Sequence, residues 1–489
     1  MPATAVRPGP LDALPPGPIP PDDGWRPRDR IHRSRPAGSP RLSGSLRRFG
    51  SPPGKASPAE GRLSGHAVHL GRPALRTADG HDRDERHASW LELFFDLAFA
   101  GAVGQLAGAL QGHPDLGTVA RFAMLFTPIW WLWVQLTFYA DRHESDNAVH
   151  RVSFLAAILL CVGLAASAPR ALAGSTTGFV IAFAGLRGLQ LLLYARARHY
   201  LPATRALYSC YLVCFGAGGA LWLAALAVGG SVRYAFWGAA LLVDAAGSLA
   251  MLAPRRRVPL NTAHLADRFQ IFVLIVLGES MARLISAAAM RPWSLPLAVV
   301  LAAALSTLAA LWWAWLTTAD RGALDSQPAI ARFTALNLPM VAGIAAASAG
   351  LHIAILAAAG ASAIPAGPRA ALYGGVSVYL LASAILPSAK VSRPARIARL
   401  AAALATMGLV FMGAIVEPVY LVPALAIVLV IGLAAEARLR ASARDDAASD
   451  GSQPAARPPA RPARPARIAE SAGNRNHTPR LKEHPCLPC

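Results

Sequence analysis

The chain repeats blocks of about twenty apolar residues, and a polypeptide with that pattern has few ways to fold. Twelve such runs occur, at about 91–110, 119–139, 151–168, 177–195, 206–228, 233–252, 265–287, 294–317, 332–359, 370–388, 397–416 and 419–437. A helix rising 1.5 Å per residue crosses the roughly 30 Å hydrocarbon layer of a bilayer in about that length. In hydrocarbon every backbone N–H and C=O must be bonded within the protein, which Ala/Leu-rich runs achieve as helices. The breaks carry turn residues, among them Gly112-His113-Pro114, Gly229-Gly230, Arg291-Pro292 and Glu417-Pro418. The expected fold class is an all-α membrane protein with about twelve transmembrane helices. With 54% apolar and only 15% charged residues in 489, the composition agrees.

The formal charge of +20 would suit a nucleic-acid binder, but its placement follows topology instead. Loops after even-numbered runs hold Arg142 and Arg151, then Arg196, Arg198 and Arg205, then Arg255 to Arg257, then Arg321 and Arg332, then Lys390, Arg393 and Arg396. The other loops offer single residues: Arg121, Arg170, Arg233, Arg291 and Arg369. The positive-inside rule puts the first set and both basic termini in the cytoplasm, and no nucleic-acid partner is expected. Residues 1–86 and 441–489, rich in Pro and Arg without apolar periodicity, are expected to be disordered tails. The run from Arg457 to Arg467 can rest on anionic lipid or stay solvated. No signal peptide is expected, because 1–86 has no apolar core of the needed length. Cys161, Cys210 and Cys214 fall in apolar runs as packing residues, and the Cys486 to Cys489 spacing is read as chance.

Two stretches look alike. Trp130-Trp131-Leu132-Trp133 leads to Asp141-Arg142, and Trp312-Trp313-Ala314-Trp315 leads to Asp320-Arg321. Trp130 and Trp312, Arg142 and Arg321, and Arg151 and Arg332 all stand about 180 residues apart, a near-constant offset that argues for duplication. Two six-helix repeats, 87–260 and 261–440, would then be parallel, with a site near the midplane where they meet. The alternative is that the Trp clusters are interfacial belts and Asp-Arg a common loop start.

Candidate residues follow from cost. A carboxylate in hydrocarbon costs roughly 2.5–3.5 kcal/mol on insertion scales, so such groups should face protein. Glu92 and Asp96 share a helix face at the start of the first run, followed by Gln105. Glu279 lies deep in the seventh run with Arg283 one turn on, and the duplication offset matches Glu279 to Asp96 at similar depth. Glu92, Asp96, Gln105, Glu279 and Arg283 are the candidate solute or ion path, with a structural ion pair as the competing reading of Glu279 and Arg283. His264, Asp267 and Arg268 form a helix-start cluster, and Asp141, Arg142, Asp320 and Arg321 are candidate cytoplasmic gating loops. Gln105, Arg187, Asp244 and His352 should face the bundle, with Arg187 and Asp244 neutralising an acid and a base elsewhere. His143, Glu144, Asp146 and His150 are metal-ligand types, but a hydrated or gating loop is favoured over a metal site. No cofactor or metal is expected, and no phosphate loop or nucleophile elbow occurs.

Glu92-Leu93-Phe94-Phe95-Asp96-Leu97-Ala98-Phe99 with Gln105-Leu106, the Asp141 to Arg151 loop, and His264-Leu265-Ala266-Asp267-Arg268-Phe269 through Leu277-Gly278-Glu279-Ser280 together resemble the bacterial low-temperature-requirement protein A family, over about 87–438. The resemblance implies an integral membrane protein of the bacterial inner membrane, named for a growth phenotype in the cold, and assigns no catalytic residues. The long basic tails depart from the compact family pattern. A weaker likeness to the major facilitator superfamily rests on Asp141-Arg142 and Asp320-Arg321-Gly322, where Thr137 and Leu316 replace the expected glycine.

Three functions compete. A secondary transporter or channel-like protein for a small solute or ion, with proton coupling, follows from paired halves and buried acids. A non-transporting membrane sensor or scaffold would use the basic tails as output. A membrane-embedded lipid-modifying enzyme would rely on His264 or the His143 to His150 loop.

Overall fold

A computed structural model describes residues 89–449, apart from 113–114, 144–147, 254–257, 259, 319–323, 325, 359–363 and 389–390. Both expected tails, except 441–449, and the pair Asp320 and Arg321 lie outside the described residues. So do Glu144, Asp146, Cys486 and Cys489.

The described residues are helical. In chain order they form α1 (Trp90–Ala109), α2 (Leu116–Arg142), α3 (Ala148–Leu172), α4 (Thr177–Tyr200), α5 (Arg205–Ala224) and α6 (Val232–Leu249). Then come α7 (Thr262–Ala289), α8 (Leu295–Thr318) and α9 (Gln327–Ala357). We call α10 the continuous stretch of Ala366–Arg369, a π-helical segment Ala370–Gly374, and Gly375–Ile385; α11 (Arg393–Met412) and α12 (Pro418–Ser449) complete the chain. Among the described residues ten helices are long and apolar enough to cross a membrane, and α6 and α10 are not among them. The π segment divides α10, while α6 has only 18 residues and holds Arg233 and Asp244. At the end of the chain α12 continues past the boundary expected near 441, so 441–449 are helical rather than disordered.

Local signals set where helices begin. Ser89 Oγ accepts from the Glu92 N–H while Glu92 Oε2 accepts from the Ser89 N–H, a reciprocal capping box on α1. Asp115, Asn261, Ser326 and Ser392 cap α2, α7, α9 and α11 through their side-chain oxygens.

Along the chain α1 packs on α3, α3 on α4, α4 on α5 and α5 on α6; further on α7 packs on α9, α9 on α10, α10 on α11, α11 on α12 and α12 back on α8. Across the middle, α1 lies against α7. Large apolar side chains such as Leu159, Leu242, Leu404 and Phe411 point outward, as a lipid-facing surface requires. Trp90 and Trp293 stand exposed beside helix ends, where interfacial tryptophans sit.

Helices α9 and α10 approach closely. A Cβ at Gly350 would stand 2.5 Å from the Pro368 carbonyl oxygen, and one at Gly343 2.5 Å from that of Gly375. Small residues let the backbones touch, and packing replaces the hydrophobic drive that lipid cannot supply. Gly350→Leu is expected to cost about 3 kcal/mol by overpacking. Gly101→Leu, where a Cβ meets nothing within 4 Å, should be silent. Thermal midpoints of the two variants in detergent check this.

Candidate functional site

Three groups that look separate in sequence meet at one end of the bundle. Glu92 and Asp96 come from the first turns of α1, Asp141 from the last turn of α2, and His264 and Arg268 from the first turns of α7. All five are at most 2% exposed. Because α1 and α7 begin where α2 ends, their termini converge there.

Arg268 grips Asp96 with two prongs, Nη2 to Oδ1 at 2.6 Å and Nε to Oδ2 at 2.8 Å. The planar guanidinium fork fits a carboxylate this way, giving strong charge-assisted bonds. Trp133 of α2 donates its indole N–H to Asp96 Oδ1 at 2.7 Å. Arg268 Nη1 lies 3.6 Å from Glu92 Oε1. His264 stands between two acids, Nδ1 at 3.0 Å from Asp141 Oδ1 and Nε2 at 3.6 Å from Glu92 Oε2. The other Asp141 oxygen accepts the Asn261 N–H at 2.7 Å, at the positive end of α7. Three carboxylates thus face one guanidinium and one imidazole. Nδ1 is within hydrogen-bond distance of Asp141, whereas Nε2 faces Glu92 at a longer range.

Moving along the seam, Asp96 opposes Arg268, Gly104 opposes Glu279 and Gly108 opposes Arg283. Residue numbers rise together, so α1 and α7 run parallel. Arg283 pairs with Glu279 at 2.9 Å and also donates to the Gly104 carbonyl, and the His352 ring bonds the Arg283 carbonyl at 3.1 Å. A Cβ on Gly104 would run into the Glu279 side chain at 2.7 Å, so glycine there makes room for the acid.

The structure corrects several expectations. Asp96 and Glu279 do not sit at matching depth: Glu279 is level with Gly104, eight residues or about 12 Å along α1 from Asp96. The duplication offset aligns sequences, whereas depth depends on how far each helix slides along its neighbour. Gln105 does not face the path; it is exposed, on the stripe of α1 that carries Leu97 outward. Asp141 and Arg142 belong to no loop, being the buried last turn of α2. Asp267 is half-buried, one position around α7 from Arg268.

Two further buried ion pairs brace the bundle. Arg187 Nη2 meets Asp244 at 2.5 Å, and its Nη1 donates to Gln135 and Gln190 at 2.9 and 2.8 Å, tying α4 to α6 and α2. Arg399 holds Glu436 with two prongs at 3.0 and 2.8 Å and donates to Thr317 and Thr318. Sequence reasoning missed Arg399, Glu436 and Trp133, the last because Trp clusters suggest an interfacial belt. One signal existed: Arg399 and Glu436 interrupt otherwise apolar faces. Cys161 is buried, and the Cys210 and Cys214 sulfurs lie 3.9 Å apart one turn along α5. No group of three or more His, Cys, Asp or Glu that could hold a metal occurs among the described residues.

His143 closes α2, stacked on Tyr139 at 4.2 Å with its Nδ1 donating to the Tyr139 carbonyl at 2.8 Å. Burial pulls its pKa from 6.5 down to about 4, helped by the positive charges of Arg142 and Arg196 nearby. The unfolded chain takes up this proton as pH falls through 6.5, and the folded protein resists until about 4. The stability His143 contributes is therefore complete above pH 6.5 and drains away toward pH 4. Thermal midpoints should fall over that window in the wild type and fall less in His143→Phe, which keeps the stacking.

Comparisons bear on the same residues. The family model described as bacterial low temperature requirement A protein matches residues 87–435. A Rhizobium meliloti (strain 1021) protein, described as uncharacterized, is 26% identical over 310 residues, covering 59% of this chain and 72% of its own length. No solved structure matches.

Proposed function

This chain belongs to the bacterial low temperature requirement A family, and from that premise we propose that it is a twelve-span inner-membrane secondary transporter for a small solute or ion. Two parallel six-helix halves form it, and His264 exchanges the coupling proton. The observation that carries this reading is the buried imidazole between carboxylates of α1 and α2, contributed by a helix of the other half. Gain or loss of one proton there changes the balance among three acids and Arg268, and so the attraction holding α7 to α1 and α2. Such a charge lock between halves suits alternating access, in which one half rocks against the other.

Supporting features are the parallel run of α1 and α7 and the basic loops that put this end of the bundle in the cytoplasm. Glu279 and Arg283, further along the same seam, continue the polar path. Asp141 acts as a partner of His264 within the lock.

The test uses full-length protein in proteoliposomes loaded with a pH-reporting dye, challenged with Na⁺, K⁺, amino acids and sugars in turn. One class should drive a solute-dependent internal pH change. His264→Gln and Glu92→Gln should each abolish it while leaving a monodisperse, helical protein. Wild-type protein that moves no protons with any of these solutes would overturn the reading.

A further inference from the structure

We propose that Arg142 anchors a binding site for a small carboxylate monoanion among the aromatic side chains beside the end of α2. Arg142 is 2% exposed, and none of its three guanidinium nitrogens has a hydrogen-bond partner among the described residues. It is the exception among comparably buried arginines: Arg187 holds Asp244, Arg268 holds Asp96 and Arg399 holds Glu436. Its neighbour Asp141 is committed to His264 and Asn261. A guanidinium out of water costs several kcal/mol unless an anion and hydrogen-bond acceptors answer it.

The surroundings define what that anion is. The guanidinium carbon stands 5.6 Å from the Phe138 ring centroid. The Tyr211 hydroxyl comes near without meeting hydrogen-bond geometry, and Tyr208 reaches only His143 Nε2, at a long 3.5 Å. Tyr194 is spent on the Gln135 carbonyl. The Arg142 guanidinium thus has the phenols of Tyr208 and Tyr211 near it among aromatic rings. A single charge balances a monoanion and leaves a dianion such as phosphate half-neutralised. The open Nε and Nη edge matches the two oxygens of a carboxylate better than it matches a spherical halide. Aromatic rings suit a short apolar substituent behind the carboxylate. The inference rests on this burial alone and does not depend on transport.

The experiment measures thermal midpoints of the full chain in detergent, at constant ionic strength, with formate, acetate, chloride or the bulky carboxylate gluconate. Formate and acetate should raise the wild-type midpoint saturably, and chloride and gluconate should not. Arg142→Gln should lose the shift and be at least as stable as wild type without added anion, since the bare charge is gone. Arg142→Lys, which keeps the charge without the fork, should bind at least tenfold more weakly, and it serves if the Gln variant does not fold. Equal shifts with chloride, no shift with any carboxylate, or an undiminished acetate shift in the arginine variants would each overturn the proposal.

Discussion

Arg268→Met will cost about 3–5 kcal/mol of stability, the range for removing one partner of a buried ion pair. The loss comes mainly from what is left behind. Asp96 would keep the Trp133 indole bond but lose both prongs of its counter-ion, and Glu92 would lose the guanidinium 3.6 Å away. Neither side chain can reach water, since Asp96 is 0% and Glu92 1% exposed. Adding Asp96→Asn to Arg268→Met should recover part of the loss, because a neutral amide still accepts from Trp133. Arg268→Lys should fall between, keeping charge while losing the fork. Unfolding of purified protein in mixed micelles gives the free energies. If Arg268→Met behaves like wild type, Asp96 is not ionised in the folded state and the charge lock is not built as described.

Arg187→Met should be equally costly, for a second reason. Besides stranding Asp244, it strips donors from the Gln135 and Gln190 side-chain oxygens. Buried acceptors left unmet cost about 1–3 kcal/mol apiece. Gln190 still bonds Gln135 at 2.5 Å, which softens the effect. The double variant Arg187→Met with Asp244→Leu should regain most of the lost stability, since replacing a whole buried pair by apolar groups is often neutral or better. A double variant no better than the single would mean that the glutamines, and not the ion pair, hold α4 to α2 and α6. Both changes lie away from the α1–α7 seam, so the double variant, if it folds, should leave the charge cluster around Asp96 and Arg268 intact.

The sequence by itself determined that the chain is helical and suited to a bilayer. That conclusion needs only the length of each apolar run and the rule that hydrocarbon leaves no backbone group unbonded. The apolar runs marked helix starts only to within a few residues, and the caps that fix them, such as Ser89 with Glu92 and Asn261 with His264, emerge in the structure. Residue chemistry singled out Glu92 and Asp96 as costly in hydrocarbon and gave His264 and Arg268 only as a helix-start cluster, and all four are buried together. What the sequence left open was partnership. Asp96 and Arg268 are 172 positions apart and Asp141 and His264 are 123 apart. No local rule links such residues, because their meeting depends on which helices adjoin and how far each slides along its neighbour. The same slide places Glu279 about 12 Å from the level of Asp96, and the rotation of α1 sends Gln105 outward. It also leaves Arg142, an ordinary loop cation by its sequence context, enclosed among aromatic rings. Composition and periodicity are one-dimensional and fix what each helix must bury, whereas register and rotation between helices arise only when the side chains interlock.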